Sequence, residues 1–288
     1  MADNYSELTI SEAKDLLRQW RDNNERKSDE VLKVWSVIFG GHKNGVKNLG
    51  NEKHLILEQV FYAALDCHYY TMASYCSMTL QEEFPDSYRA AKLTATLYEA
   101  QENYEDALAM LDNIIRLDET NAAARKRVVA ILKAQGLIQS AIKELVDYLK
   151  KFMSDVEAWQ ELSELYLQAQ EYSRAAFCCE EILLHQPHNH LAHQRLADVR
   201  YTMGGVENME LAKTYYCSAL KLNPDNMRAL LGLFLTTNNL LSHYKSAGQS
   251  GKRKEAWRVC RWAQARAAPP RAPGANLAAM MLQLAIAD

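Results

Sequence analysis

Alanine recurs at a fixed interval in this chain. Ala73, Ala107, Ala141 and Ala175 are each 34 residues apart, and each lies midway through an apolar pattern with helical periodicity. A period of this length fits two short antiparallel helices and the turns that join them. A small residue is needed where two such helices cross closely, because a larger side chain would hold the backbones apart. The interval therefore predicts a stack of helical hairpins, each packed on the next.

The clearest copy of the repeat runs from residue 156 to residue 189. Its first helix carries the pattern W-x2-L-G-x2-Y, with serine in place of glycine, at Trp159, Leu162, Ser163 and Tyr166. Pro187 follows the second helix and is expected to stop it, as Pro85 and Pro224 are in other copies, because proline cannot continue a helix. This pattern and this period are those of the tetratricopeptide repeat (TPR). The predicted fold class is an all-α TPR α-solenoid, with Trp159 as a large buried aromatic.

The repeat frame divides the chain into three parts. Residues 1–53 are predicted to form an N-terminal cap of two amphipathic helices, between Ser6 and Gly40, and a Gly/Asn-rich loop. Residues 54–240 form the TPR array, and residues 241–288 hold a late helix (254–267), a Pro-rich linker (268–274) and a short apolar helix (276–287). Copies of the repeat are predicted to begin at His54, Tyr88, Ala122, Val156 and His190, and a sixth first helix at Met227.

Two irregularities are expected within this frame. The fifth copy needs three extra residues near Gly204 and Gly205, where the glycines favour a widened turn. After Leu241, a polar stretch to Gly251 is expected to interrupt the sixth pair.

Composition and charge exclude several classes of protein. The chain has 33 basic and 36 acidic residues, a net charge of -3, so no overall positive field attracts nucleic acid or anionic lipid. Its N-terminus lacks the pattern of a signal or transit peptide, and its apolar runs fall short of the ~20 residues that a membrane-spanning helix needs. We therefore expect a chain that stays on the cytosolic side and associates with membranes only through partners. The six cysteines form no CxxC pair and are predicted to be reduced core thiols.

Catalytic and metal-binding motifs are not a feature of this sequence. It has no G-x-S-x-G, H-E-x-x-H or P-loop pattern, so we expect no enzyme activity and no cofactor. Four histidines lie within nine residues, at His185, His188, His190 and His193. A metal site would need at least three of them to converge. Because Pro187 forces a turn between two helices, roles in the turn and in packing are the preferred interpretation.

The candidate binding residues lie on the first helices, whose repeat positions 2, 5, 9 and 12 line the concave groove of such folds. The predicted partner-binding residues are these positions and a basic cluster, namely Arg89, Lys92, Arg125, Lys126, Arg127, Lys133, Gln160 and Glu164. One end of the groove is predicted to be basic and the other acidic, which suits a segment with its own charge asymmetry. A merely solvated groove stays open as an alternative. Reversing the charges of residues 125–127 is expected to weaken assembly and to leave folding intact.

A second basic cluster lies near the C-terminus. It comprises Lys252, Arg253 and Lys254 with Arg258 and Arg261. A nuclear-import signal and a phosphate-binding patch are both open interpretations.

Several segments resemble one family of TPR proteins. They are LLRQWRDNNERKS, LEQVFYAALDC, ETNAAARKRVVAILKAQG, the run from Asp155 that contains HQPHNHLAHQ, and YTMGGVENMELAKTYYCSALKLNPDNMRALLGL. Together they resemble the subunit 2 family of the endoplasmic reticulum membrane protein complex, over about residues 6 to 235 of this sequence.

The resemblance implies a cytosolic scaffold subunit of a multi-subunit insertase, which places tail-anchored and multipass proteins in the endoplasmic reticulum membrane. It implies that the chain cradles the cytosolic parts of membrane subunits 3 and 5 and binds soluble subunit 8 or 9. The implied location is peripheral, on the cytoplasmic face of that membrane, with the unassembled chain in the cytosol. A generic TPR adaptor in another multi-protein assembly remains the alternative.

Overall fold

The computed structural model describes residue 5, residues 8–40 and residues 47–267. Within these residues the chain forms fourteen α-helices and a short 3-10 helix (Lys47–Glu52), with no strand. The all-α fold class predicted from the sequence is confirmed. The helices are α1 (Ile10–Asp22), α2 (Ser28–Gly40), α3 (Lys53–Asp66), α4 (Tyr70–Glu83), α5 (Tyr88–Ala100), α6 (Tyr104–Leu117), α7 (Ala122–Ala134), α8 (Ile138–Lys151), α9 (Val156–Gln168), α10 (Tyr172–His185), α11 (His190–Met203), α12 (Val206–Leu222), α13 (Met227–Ser246) and α14 (Ser250–Ala267).

The chain separates into two compact units. Unit 1 ends at Leu137 and holds α1 to α7, and unit 2 begins at Ile138 and holds α8 to α14. The division into a cap, an array and a tail stays a prediction. The predicted linker (268–274) and short apolar helix (276–287), and most of the Gly/Asn-rich loop, lie outside the described residues.

A capping side chain fixes the start of the first helix in most pairs. The residue before the helix accepts a hydrogen bond from a backbone N–H of the first turn, which would otherwise have no partner. The caps of α5, α7, α9, α11 and α13 are Ser87, Asn121, Asp155, Asn189 and Asn226. In α1, Thr9 and Glu12 form a reciprocal capping box.

The recurring alanines lie at the centre of the helix pairs. Ala73, Ala107, Ala141 and Ala175 are all fully buried, as is Ala212 in the fifth pair. Each lies in a second helix, in α4, α6, α8, α10 or α12. For the pairs that lie within one unit, those of Ala73, Ala107, Ala175 and Ala212, this burial fits the close crossing that the 34-residue interval predicts.

The fifth pair differs from its prediction. Its three extra residues lengthen α12 to 17 residues, where the second helices of the four preceding pairs have 14. The turn itself is only Gly204 and Gly205, with φ of 73° and 78°. Two consecutive residues with positive φ reverse the chain tightly, a conformation that side chains with a Cβ resist, so a wider turn is unnecessary.

The sixth pair is not interrupted where the polar sequence suggested. Helix α13 continues to Ser246, and α14 starts at Ser250, four residues before the predicted start of the late helix. Leu240 and Tyr244 are buried against Ala256 of α14. These contacts favour a helical polar stretch, because Tyr244 within it joins an apolar cluster with Leu240, which lies just before it.

The first two helices share the core of the first pair. Leu17 and Trp20 of α1 and Trp35 of α2 belong to one buried cluster with Phe61 of α3 and Cys76 of α4. In unit 2 a comparable cluster joins α11, α12, α13 and α14. The N-terminal helices therefore contribute to the stability of the pair on which the groove of unit 1 is built.

The burial predicted for Trp159 is only partial in the structure. The side chain is half-buried, and its indole N–H donates to the Met153 carbonyl oxygen at 2.8 Å. Its ring meets Phe177 edge-on, with centroids 6.1 Å apart, and Phe177 is itself 54% exposed. A tryptophan at a helix edge keeps one side open when its N–H must reach a carbonyl there.

Candidate partner-binding groove

Ion pairs link successive first helices in unit 1. Arg89 of α5 donates through Nε to Glu58 Oε1 of α3 at 3.1 Å, and a second guanidinium nitrogen contacts the other carboxylate oxygen. Arg127 of α7 donates through Nε to Glu99 Oε2 of α5 at 2.5 Å. Each arginine thus reaches back to the preceding first helix, and the bonds fix the spacing of the helices that line the groove.

A cavity of about 850 Å³ lies along these first helices, and we call it the unit 1 groove. Its lining includes Leu55, Tyr62, Arg89 and Arg127, with Trp20 at the α1 end. Leu55 is 44% exposed and Tyr62 is 40% exposed, so the groove offers apolar surface next to charged groups. Exposed apolar surface rimmed by polar side chains is typical of a site that binds another chain.

Tyr62 lies within the field of the ion pairs. Burial raises the pKa of its phenol, and Glu58 acts in the same direction, whereas Arg127 and Arg89 oppose the shift. The phenol therefore stays protonated at neutral pH and can donate a hydrogen bond from the floor of the groove.

Unit 2 repeats the pattern of ion pairs. Arg195 of α11 donates to Glu164 of α9 at 2.5 Å, and Arg228 of α13 donates through Nε to Asp198 of α11 at 3.1 Å. A smaller cavity of about 450 Å³ lies beside them, lined by Gln160 among others. The predicted residues Gln160 and Glu164 therefore lie on the surface formed by first helices, and Glu164 is already engaged by Arg195.

Sequence reasoning did not select several members of these ion pairs. They are the acidic residues Glu58 and Asp198 and the arginines Arg195 and Arg228. The signal that could have found them is a separation of 28 to 31 residues between opposite charges. A separation close to the repeat length places two side chains on neighbouring first helices.

One residue of the basic cluster is buried. Arg125 has 9% of its surface exposed, and its Nε donates to the Glu119 carbonyl oxygen at 3.1 Å. It ties the first turn of α7 to the preceding loop. Reversing its charge would place a carboxylate beside a carbonyl in a buried site, which argues against the expectation that all three reversals leave folding intact.

The other predicted cations lie nearer the surface. Lys92, Lys126 and Lys133 are half-buried on α5 and α7. Arg89 keeps 70% of its side chain exposed despite its bond to Glu58. In unit 1 the paired carboxylates offset the arginines, so a uniformly basic end of the groove is not what the structure shows there. The partner-binding role of all eight residues stays a prediction.

The histidines contribute to turns and packing. His190 is hydrogen-bonded to Asn223 at 3.3 Å and to Asn226 at 3.1 Å, which joins the start of α11 to the loop before α13. His193 bonds the Pro187 carbonyl oxygen at 2.9 Å. Among the residues that the structure describes, no group of three or more His, Cys, Asp or Glu side chains is placed to hold a metal ion.

Four of the six cysteines are buried, at Cys76, Cys178, Cys179 and Cys260. Burial raises the pKa of the Cys76 and Cys178 thiols to about 12. These thiols therefore stay protonated and act as small apolar side chains. No helix in the described part of the chain is both long and apolar enough to cross a membrane.

Helix pairs at a 34-residue interval, with a groove on the first helices, define a TPR protein of the α-solenoid class. One sequence family, described as "EMC2 TPR-like repeat domain", matches residues 70–214, and a tetratricopeptide repeat matches residues 205–226. The chain is 44% identical over 246 residues to ER membrane protein complex subunit 2-A of Xenopus laevis, covering 85% of this chain and 82% of that relative. It therefore belongs to the EMC2 family. ER membrane protein complex subunit 2 of Dictyostelium discoideum is 34% identical over 211 residues, or 73% of this chain and 65% of the relative.

A solved structure supports the fold independently of the close relatives. The C-terminal part of a TPR repeat-containing protein from Cytophaga hutchinsonii superposes with a TM-score of 0.62 at 14% identity, covering 95% of this chain and 99% of that one. At this level of identity the likeness shows the fold alone.

Proposed function

We propose that this chain is a scaffold subunit of the ER membrane protein complex and that it holds the extended segment of a partner chain in the unit 1 groove. The observation that carries the proposal is the groove itself, which places exposed Tyr62 and Leu55 between ion pairs of successive first helices. Support for the assembly comes from the names of relatives that this chain covers over most of their length.

The groove is suited to an extended segment with mixed character. Arg89 keeps 70% of its side chain exposed while Glu58 holds its guanidinium in place, so its remaining N–H groups are preorganised to bond a carboxylate or a backbone carbonyl. Tyr62 offers an amphipathic ring with few rotatable bonds, a type enriched at the energetic centres of interfaces. The two side chains together would bind the partner without any large change in the helices.

The proposed partners follow the resemblance described from the sequence. We assign the cytosolic parts of membrane subunits 3 and 5 to the groove and soluble subunit 8 or 9 to the opposite surface. The scaffold would work on the cytoplasmic face of the endoplasmic reticulum, where the complex inserts tail-anchored and multipass proteins. The chain supplies binding surface, and the membrane subunits carry out insertion.

The experiment compares two tyrosines with the same exposure. Tyr62 and Tyr75 are each 40% exposed, but only Tyr62 is among the residues that line the groove. We expect Tyr62→Ala to weaken recovery of membrane subunits with the tagged chain by at least about tenfold, since central aromatic residues contribute ~2 kcal/mol or more to binding. Tyr75→Ala should recover them at the level of the unmodified chain. Equal recovery of the membrane subunits with both variants would contradict the assignment of the groove.

A further inference from the structure

The outward face of α14 combines cations with two exposed tryptophans. At 100° per residue, Lys254, Arg258 and Arg261 lie along one line of the helix, and Trp257 and Trp262 lie on either side of it, all within an arc of about 140°. The indole side chains are 44% and 49% exposed. The opposite face is buried through Ala256, Cys260 and Ala263. We call these five outward residues the α14 face.

The cations of the α14 face lack an acidic partner among the residues that the structure describes. The only carboxylate of the helix, Glu255, pairs with Lys213 of α12 at 3.1 Å. Two basic residues near the ends of the helix form ion pairs, Lys252 with Glu210 and Arg266 with Asp225. No ion pair with a described residue neutralises Lys254, Arg258 or Arg261, and the guanidinium of Arg261 lies over the Trp257 ring, 5.6 Å from its centroid. The net charge of -3 for the whole chain therefore hides a local positive excess.

We propose that the α14 face docks on an anionic lipid surface. Tryptophan favours the headgroup level of a bilayer, because its ring is apolar and its N–H is polar. Lysine and arginine around it attract the negative surface potential of the leaflet. Within the described part of the chain, the face is the outward ridge of one helix, and none of its five residues lines the unit 1 groove or the cavity beside Gln160. That shape favours a flat anionic surface over an acidic protein segment.

This contact does not rest on the proposed scaffold function. The α14 face would give the chain a direct contact with the membrane. The net charge of the whole chain had suggested attachment through partner proteins alone. The purified full-length chain, without partners, should bind vesicles of phosphatidylcholine with phosphatidylserine and leave phosphatidylcholine vesicles alone. Binding should weaken with added salt, because screening reduces the attraction between exposed charges.

Two variants test the two components of the face. Arg258→Gln with Arg261→Gln should lower the partition coefficient about 25-fold, since each cation near an anionic leaflet contributes a factor of about five. Trp257→Phe with Trp262→Phe keeps the charge and should remove the blue shift of tryptophan fluorescence that accompanies vesicle binding. All variants keep residues 268–288, so any contribution from that segment is common to them.

Matched controls change similar side chains elsewhere. Arg116→Gln with Lys143→Gln removes two exposed cations from α6 and α8, and Phe177→Ala removes an exposed aromatic from α10. Both should bind vesicles as the unmodified chain does. The proposal is overturned if anionic vesicles are not bound, if the α14 and control variants bind equally, or if the chain binds soluble polyglutamate but not vesicles. Circular dichroism confirms that each variant keeps its helices, and the charge variant alone decides the outcome if the tryptophan variant loses them.

Discussion

A methyl group added at Gly232 of α13 should destabilise unit 2, because the helix passes directly over the buried ring of Tyr216. The new Cβ would lie 2.3 Å from Tyr216 Cζ and 2.6 Å from its hydroxyl oxygen, far inside van der Waals contact. The Tyr216 side chain is only 2% exposed, and its hydroxyl donates to Asp198 Oδ1 at 2.6 Å. The ring can move aside only by breaking that bond.

The expected size of the effect follows from three contributions. Overpacking a well-filled site costs about 1 to 3 kcal/mol. Losing a hydrogen bond to a charged group costs about 1.5 to 3 kcal/mol. Alanine in place of glycine inside a helix stabilises the fold by about 1 kcal/mol, which offsets part of these losses. Gly232→Ala should therefore lower the free energy of unfolding by about 1.5 to 5 kcal/mol, measured by urea denaturation followed by circular dichroism.

Gly251→Ala is the matched control. A Cβ at Gly251 of α14 would meet no atom within 4 Å. The variant should be neutral or more stable by up to about 1 kcal/mol, because only helix propensity changes. The reasoning is refuted if Gly232→Ala changes the free energy of unfolding by less than about 0.5 kcal/mol, the range of ordinary surface substitutions.

Two further predictions concern stability. Trp159→Ala should lower the free energy of unfolding by about 1 to 3 kcal/mol, below the ~3 to 5 of a fully buried aromatic, because the indole is half-buried; a loss above that range in chemical denaturation would contradict the observed exposure. Arg26 hydrogen bonds hold the pKa of Asp66 below its usual value, aided by Ser28. A depressed folded-state pKa gives stability that is present above the unfolded-state pKa and lost as pH falls through the folded one, so Asp66→Asn should be less stable at neutral pH and should lose less stability below about pH 4. Equal slopes of stability against pH for the two proteins would show that the ion pair does not contribute.

The helix pairs were predictable from the sequence because their signals are local. A capping residue precedes each first helix from α5 to α13. A small residue recurs in each second helix from α4 to α12. The extension of α13 was not predictable in this way. Its mostly polar residues 242–246 are helical because Tyr244, together with Leu240, packs against Ala256 of α14. That contact depends on tertiary structure.

The sequence predicted the location of the groove but not the ion pairs and buried charge within it. Arg89 and Gln160 were selected because they occupy groove positions on the first helices, and each lines a cavity in the structure. The burial of Arg125 was not visible, because an arginine in a run of three bases looks the same whether its stem is covered or not. Its Nε donates a hydrogen bond to the Glu119 carbonyl oxygen, and the position of that oxygen is set by the loop before α7.

Purification from detergent-solubilised membranes shows whether the chain is assembled in the ER membrane protein complex. A tagged full-length chain is recovered under mild detergent, and the co-purifying chains are identified by mass spectrometry. The account predicts that membrane subunits 3 and 5 and soluble subunit 8 or 9 are recovered in constant proportion, and that depletion of subunit 5 lowers the level of the tagged chain as its partner-facing apolar surface becomes exposed. A chain that stays abundant and monodisperse after that depletion, and that recovers a different set of partners, would contradict the account and favour a generic adaptor.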